Sequence, residues 1–353
     1  MRLLALPGDG IGPEITAATL VVLRRAAARF ALPVEVEEDV VGHEGLRRYG
    51  VTVRPDLLDK ARAADGLILG PTATFDFKNP DKGEINPSMF FRKGLDLFAN
   101  IRPSRTYPGL PQKLGPFDLV IARENTEGFY ADRNMTEGNA EMLVTEDVAI
   151  SLRRITRPAC ARIARVAFEL ATERRNHVTV VHKANVLRLG DGMFLEECRK
   201  AADDFPGVAV DDVLVDAMMA HLVRNPAKFD VIVTTNMFGD IISDMTAEAS
   251  GSLGLGGSLN EGADYAMAQA SHGSAPDIAG RNIANPFSLI LSVALLLAWH
   301  ARKKAAPKFA DAAAAIENAI EAAIAAGEIT RDIGGRLGTK ETGEALAARI
   351  GGA

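Results

Sequence analysis

The chain of 353 residues is longer than one ordinary hydrophobic core and suits two domains with a cleft between them. An apolar fraction of 47% with 24% charged residues is that of a globular protein and excludes an extended disordered region. A net charge of -6 excludes an electrostatic nucleic-acid footprint, so any anionic ligand must be met by local positive groups.

In chain order, LLALP (residues 3–7) reads as a strand and residues 13–30 as a helix. GLILG (66–70), DLVIAR (118–123), HVTVVH (177–182) and DVIVTTN (230–236) read as further strands, the last two followed by helices over 192–203 and 239–250. This rhythm is α/β. Strands apolar at nearly every position suit a mostly parallel sheet flanked by helices on both faces, with the working residues just beyond strand ends. Prolines accumulate over 99–111, and the glycine-rich GSLGLGGSLNEG (251–262) is the clearest break between segments. The apolar run 287–299 is interrupted by serines and shorter than the roughly 20 residues that span a bilayer, so it reads as a buried helix, and no membrane association is expected. Alanine-rich 311–327 reads as an amphipathic helix. Cys160 and Cys198 lie in helical patterns without a metal or disulfide spacing. The start, MRLLALPGDG, lacks the apolar segment and cleavage site of a signal peptide, and the expected location is the cytoplasm.

Several residues could carry chemistry. The loop PGDGIGPE (7–14) follows a strand and opens a helix, but its glycines at 8, 10 and 12 fit a dinucleotide fingerprint poorly; a tight turn alone would explain it, and contact with a cofactor is the alternative. Arg92, Arg102 and Arg123 fall close together, and guanidinium groups bind carboxylates bidentately. The alternative is that each pairs with a surface carboxylate. Asp240 and Asp244 stand four apart after a strand, on one helix face, where two carboxylates repel unless a cation joins them. With Asp216 at the end of the strand VDDVLVD, they make an oxygen-only set suited to Mg²⁺ or Mn²⁺. Lys183, directly after a strand, and Tyr130, closing the loop after Arg123, are acid–base candidates.

Read in order, PGDGIGPE, FANIRP, RENTEGFY, HKANV, TTNMFGDIISD, HGSAPDIAG with IANP, and DIGG followed by GT resemble the isocitrate/isopropylmalate dehydrogenase family over essentially the whole chain. The resemblance implies a two-domain α/β fold, with a discontinuous cofactor-binding domain of residues 1–98 plus 253–353 and a substrate, metal and dimerisation domain of residues 99–252. It implies that Arg92, Arg102 and Arg123 clamp the carboxylates of a hydroxy acid. Asp240 and Asp244 would hold the metal together with Asp216 of a second subunit. Lys183, also contributed across a homodimer, would take the hydroxyl proton, and Tyr130 would protonate the enol carbon, with Asp216 counted among the catalytic groups. Cofactor contacts are implied at Thr74, His272, Gly273, Ser274, Ala275, Asp277, Ile278 and Asn285. Asp277 favours NAD, because a carboxylate accepts hydrogen bonds from ribose hydroxyls and repels a 2′-phosphate, where NADP-using relatives carry lysine and tyrosine at positions 277 and 278.

The substrate is read from INPSMFFR (85–92). Isopropylmalate enzymes place leucines where Ser88 and Met89 stand; isocitrate enzymes place serine and asparagine where this chain has Asn86 and Ser88. Polar groups there suit a third carboxylate. The order of expectation is isocitrate, then homoisocitrate or a smaller relative such as tartrate or D-malate, then 3-isopropylmalate. The absence of an arginine at Met89 counts against homoisocitrate. Lys78 and Lys82 in the loop DFKNPDKGE either reach the site or belong to a solvated lid. Gln269 replaces the family's usual glutamate. A regulatory subunit that binds without catalysis is the alternative of a different class, disfavoured because Lys183, Tyr130, Asp216, Asp240 and Asp244 are all kept.

Overall fold

The structure, a computed structural model, describes residues 1–130, 135 and 140–352. The chain forms two α/β units: Met1–Leu95, Tyr107–Gln112 and Gly251–Ala353 make the first, Asp96–Thr106 and Lys113–Ser250 the second. Tyr107–Gln112, which the sequence reading gave to the middle domain, belongs to the first unit because its apolar side chains are buried there: Tyr107 and Leu110 are covered, and Leu110 lies against Gly251.

In the first unit the strands Glu35–Glu38, Arg2–Leu6, Gly66–Leu69 and Ala266–Gln269 lie side by side and parallel, with Leu259–Glu261 antiparallel to the last. Gly66–Leu69 and Ala266–Gln269 are buried along their whole length, as strands covered on both faces must be. The helix Phe287–Lys304 is buried almost all round its first three turns and packs on Ala266–Gln269. Gly12–Arg29 packs on Thr339–Gly351, and the alanine-rich helix Pro307–Ala325 packs on Phe287–Lys304.

The second unit orders Ala99–Arg105, Asp118–Glu124, Val231–Thr234, His177–His182 and Ala209–Leu214, the first antiparallel and the rest parallel. Phe117, Leu119, Ile121, Val181, Phe229 and Ile242 form its core. The last helix, Asn236–Ser250, begins three residues before its expected start. Asp240 is therefore in the second helical turn, where the helix dipole no longer explains a carboxylate. Asp216 was read as ending a strand; the strand stops at Leu214, and Asp216 sits in the first turn of Val215–Arg224. A hairpin of Glu141–Thr145 and Val148–Ser151, not foreseen from sequence, is exposed at every position. Among the described residues no helix is long and apolar enough to cross a membrane.

Candidate active site

The second unit gathers arginines and carboxylates at the ends of its strands. Arg123, 2% exposed, leaves Asp118–Glu124 and donates from Nε and Nη2 to Asn236 Oδ1 at 3.0 and 2.6 Å and from Nη1 to Asp240 Oδ1. Gly239 makes this possible: a Cβ there would lie 2.6 Å from Arg123 Cγ, so only glycine lets the arginine stem lie flat on the helix. Arg102 donates from Nε to Asn100 Oδ1 at 2.7 Å, and its Nη1 reaches Ser243 Oγ at 2.8 Å, Asp244 Oδ1 at 3.1 Å and Asp240 Oδ1 at 3.3 Å. Tyr130 Oη donates to Asp240 Oδ2 at 3.4 Å, and the Arg123 guanidinium stands 5.9 Å from the Tyr130 ring centre.

Both arginines thus do pair with carboxylates, yet they are buried and not surface groups, and their partners are the two acids singled out as metal ligands. Burial raises the Asp244 carboxyl above its ordinary value; the Arg102 charge opposes that shift and the neighbouring Asp240 charge adds to it. Two carboxylates one helical turn apart, whose own arginines do not bring Asp244 back to ordinary acidity, suit a further cation with oxygen ligands.

Lys183 and Asp216 form a second cluster. Lys183 Nζ pairs with Asp216 Oδ1, and this hydrogen bond holds the Asp216 carboxyl below its usual range. The lysine's backbone is fixed on both sides: Asp191, fully buried and paired with Arg153, accepts the Lys183 N–H at 2.6 Å, while His182 Nδ1 accepts the Ala184 N–H at 3.0 Å. His182 Nε2 then carries the ring hydrogen and donates to Asp212 at 3.2 Å. Asp191, His182 and Arg153 were not singled out from sequence; a buried acid eight residues after a candidate lysine gives no signal until folded. No hydrogen bond or ion pair links this pair to Asp240 or Asp244, and among the described residues no three acids or histidines converge as a metal site. Among the described residues the three-carboxylate set is not assembled.

In the first unit, the helix Pro87–Gly94 starts at Asn86, whose Oδ1 accepts the Met89 N–H at 3.2 Å. Ser88 and Arg92, one turn apart, both reach Gln269 Oε1 at 3.1 Å. Lys78 and Lys82 lie in the segment after Gly66–Leu69; the Lys78 backbone N–H is held by Glu84, and neither lysine side chain has an ion-pair partner among the described residues.

A pocket of about 250 Å³ in the same unit is lined by Ile11, Gly254, His272, Gly273, Ala275, Ile278, Ile283, Ala284, Asn285 and Asp332. Of the expected cofactor residues, His272, Gly273, Ala275, Ile278 and Asn285 line it; Thr74, Ser274 and Asp277 do not, and Asp277 is exposed on the same loop. Ser274 acts through its backbone, its carbonyl accepting the Ile11 N–H at 2.9 Å. At Gly10, with φ +57°, a Cβ would fall 1.9 Å from that carbonyl, so the PGDGIGPE loop needs its glycine to carry the pocket's wall. Asp9 braces the loop by accepting the backbone N–H groups of His43 and Ala73 at 2.7 and 2.9 Å. His272 Nε2 is buried without a partner among the described residues, and burial lowers the ring's pKa; a neutral imidazole nitrogen beside glycines and short apolar side chains suits a flat nitrogen heterocycle such as adenine. Asp332 was missed although it opens the DIGG motif; it accepts from Asn285 Nδ2 at 2.9 Å and Ser252 Oγ at 3.2 Å and lines the pocket.

A family model for isocitrate/isopropylmalate dehydrogenase matches residues 2–346. The chain is 37% identical to the 3-isopropylmalate dehydrogenase of Sulfurisphaera tokodaii over 98% of each chain. It is 40% identical to an NAD isocitrate dehydrogenase catalytic subunit of Arabidopsis thaliana, over 98% of this chain and 87% of that one. The crystal structure of isocitrate dehydrogenase from Methylococcus capsulatus superposes with a TM-score of 0.87 at 35% identity, covering 99% of each chain. With its motifs in order and its α/β architecture matched end to end, the chain belongs to the isocitrate/isopropylmalate dehydrogenase family of decarboxylating hydroxy-acid dehydrogenases.

Proposed function

We propose that the protein uses NAD and a divalent cation to oxidise and decarboxylate a 2-hydroxy acid carrying three carboxylates, isocitrate first, with homoisocitrate, tartrate or D-malate, and 3-isopropylmalate as successive alternatives. The observation that carries the reading is the buried cluster of Arg102 and Arg123 on Asp240 and Asp244, with Tyr130 against Asp240. Relatives named for different acids resemble the chain about equally, so the substrate rests on residues 85–92. Asn86 and Ser88 are polar, and Ser88 stands where an apolar substituent would need a leucine.

Arg92, Arg102 and Arg123 would grip the substrate carboxylates and align the 2-hydroxyl. Asp240 and Asp244, with Asp216, would hold Mg²⁺ or Mn²⁺. When bound, the nicotinamide supplies the hydride acceptor and the cation supplies the electron sink that decarboxylation needs. Lys183 Nζ would take the hydroxyl proton, and Tyr130 Oη would return one to the carbon that carbon dioxide has left. The first unit would be the cofactor domain and the second the substrate and metal domain. Asp277 would accept the ribose hydroxyls and exclude a 2′-phosphate.

Because no hydrogen bond or ion pair among the described residues joins Lys183 or Asp216 to Asp240 or Asp244, we read the working unit as a homodimer in which each site takes its lysine from the other copy. The exposed hairpin, with Met142, Leu143, Val144, Val148 and Ile150 uncovered, and the exposed Val223 and Ile241 on neighbouring helices are the apolar surface such a dimer would bury. The non-catalytic reading is disfavoured because every acid, base and ligand candidate is present. The test is formation of reduced nicotinamide on a panel of isocitrate, homoisocitrate, 3-isopropylmalate, D-malate and tartrate with NAD or NADP. A tricarboxylate with NAD should be used best; equal or better use of NADP, or preference for the isopropyl acid, contradicts it.

A further inference from the structure

Arg153 follows the exposed hairpin, yet its own side chain is only 12% exposed. Its Nη2 stands 2.6 Å from Asp191 Oδ1 and donates to Thr235 Oγ1 at 3.2 Å. The guanidinium carbon lies 6.0 Å from the Phe129 ring centre and 5.8 Å from that of Phe238, at the outer reach of a cation–π contact. Gly190, which opens the helix Gly190–Asp203, leaves the group its room: a Cβ there would stand 3.2 Å from Arg153 Nη1. The backbone of the next residue, Arg154, exchanges two hydrogen bonds with Gly128, at 2.8 and 3.0 Å, which holds the chain here against the loop carrying Phe129 and Tyr130.

One guanidinium thus touches both candidate clusters at their supports. Asp191 is the acid whose other oxygen accepts the Lys183 N–H. Thr235 immediately precedes Asn236, which opens the helix bearing Asp240 and accepts from the Arg123 guanidinium, and Phe129 immediately precedes Tyr130. We infer that Arg153 is a positioning residue for both sites of a dimer: through Asp191 it sets Lys183, which serves the site of the other copy, and through Thr235 and Phe129 it sets Asp240 and Tyr130 in its own. The inference rests on the homodimer read above. Arginine fits the task because its charge answers the fully buried Asp191 while the same nitrogen donates to Thr235 on a second segment and the flat group faces aromatic rings on a third.

The experiment isolates single working sites. Arg153→Met is co-expressed with Lys183→Met or with Asp240→Asn on a chain carrying a different tag, and mixed dimers are purified through both tags. Paired with Lys183→Met, the one complete site takes its lysine from the Arg153→Met chain; paired with Asp240→Asn, the one complete site takes Asp240 and Tyr130 from it. Each is compared with the parent chain in the same pairing. The kcat should fall about tenfold to a hundredfold in the first pairing and about threefold or more in the second, with the KM for NAD within about twofold in both, as for acid–base groups held out of place. A kcat equal to the control in either pairing overturns the inference, however far the Tm falls. If Lys183→Met and Asp240→Asn together restore no activity, the shared-site reading fails instead, and Arg153 falls with it only if the Arg153→Met homodimer keeps the parental kcat. Should Arg153→Met not fold, Arg153→Lys, which keeps a charge for Asp191 and gives up the flat group, carries the same comparison, with the larger loss in the Asp240→Asn pairing.

Discussion

The carboxylate of Asp191, fully buried, accepts the backbone N–H of Lys183 at 2.6 Å while its other oxygen pairs with Arg153. This fixes where the lysine leaves its strand. Replacing Asp191 by alanine strands a largely buried guanidinium, and breaking such a pair costs roughly 3–5 kcal/mol. Asp191→Ala should lower the denaturation midpoint markedly in a urea titration. Asp191→Asn, which keeps an acceptor for the N–H, should lose less stability and still lower kcat.

Lys183→Met removes the proposed base and leaves Asp216 without its cation. NAD affinity, measured by fluorescence titration, should be unchanged, because the pocket proposed to hold the cofactor has all its lining residues in the first unit. The hydride step should slow by about 10²–10⁴-fold in single-turnover kinetics. Near-normal turnover would remove the lysine from the mechanism.

Gly239→Ala places a methyl group 2.6 Å from Arg123 Cγ and 2.7 Å from its Cβ. The crowding should cost about 1–3 kcal/mol. Arg123 must also move off Asn236 and Asp240, so the substrate KM should rise with it; a variant with a parental KM would show that Arg123 does not touch the substrate.

Burial pushes the Cys160 thiol up to about 12 and Cys198 well above its ordinary value. A raised pKa favours the protonated folded state, so the contribution to stability is whole below the unfolded pKa of 9.0 and is lost as pH rises through the folded value. Stability should fall above about pH 9 by up to about 1.4 kcal/mol per pH unit for each thiol, and replacing both cysteines by alanine should flatten that slope. A thiol reagent should label neither cysteine in the native protein at pH 8 and both in denaturant.

The apolar strands and the order of the motifs made the α/β class and the family legible, because a strand covered on both faces leaves a continuous apolar run such as GLIL. The arginine and carboxylate residues of the second unit were legible for a related reason: they follow those runs directly. What stayed hidden depends on partners far apart in sequence. Gln269 meets Ser88 across 181 positions, and Asn285 meets Asp332 across 47, contacts that no local pattern encodes. The exposed hairpin was hidden because its apolar residues face neither a core nor an alternating polar side. The placing of Asp216 failed by two residues, since the run VDDVLVD continues past the strand into a helix whose first turn favours an acid.

The central claim is that the Asp240 cluster and the Lys183 pair of one chain belong to two different sites, each completed by a second copy. Co-expression of Lys183→Met with Asp240→Asn tests it directly. Each variant alone should be inactive. A mixed dimer would put both defects in one site and leave the other intact, so random assortment should restore about a quarter of parental turnover. A co-expressed pair that stays as inactive as either variant, although isolated as a mixed dimer, would contradict the claim and put both clusters in the same chain's site.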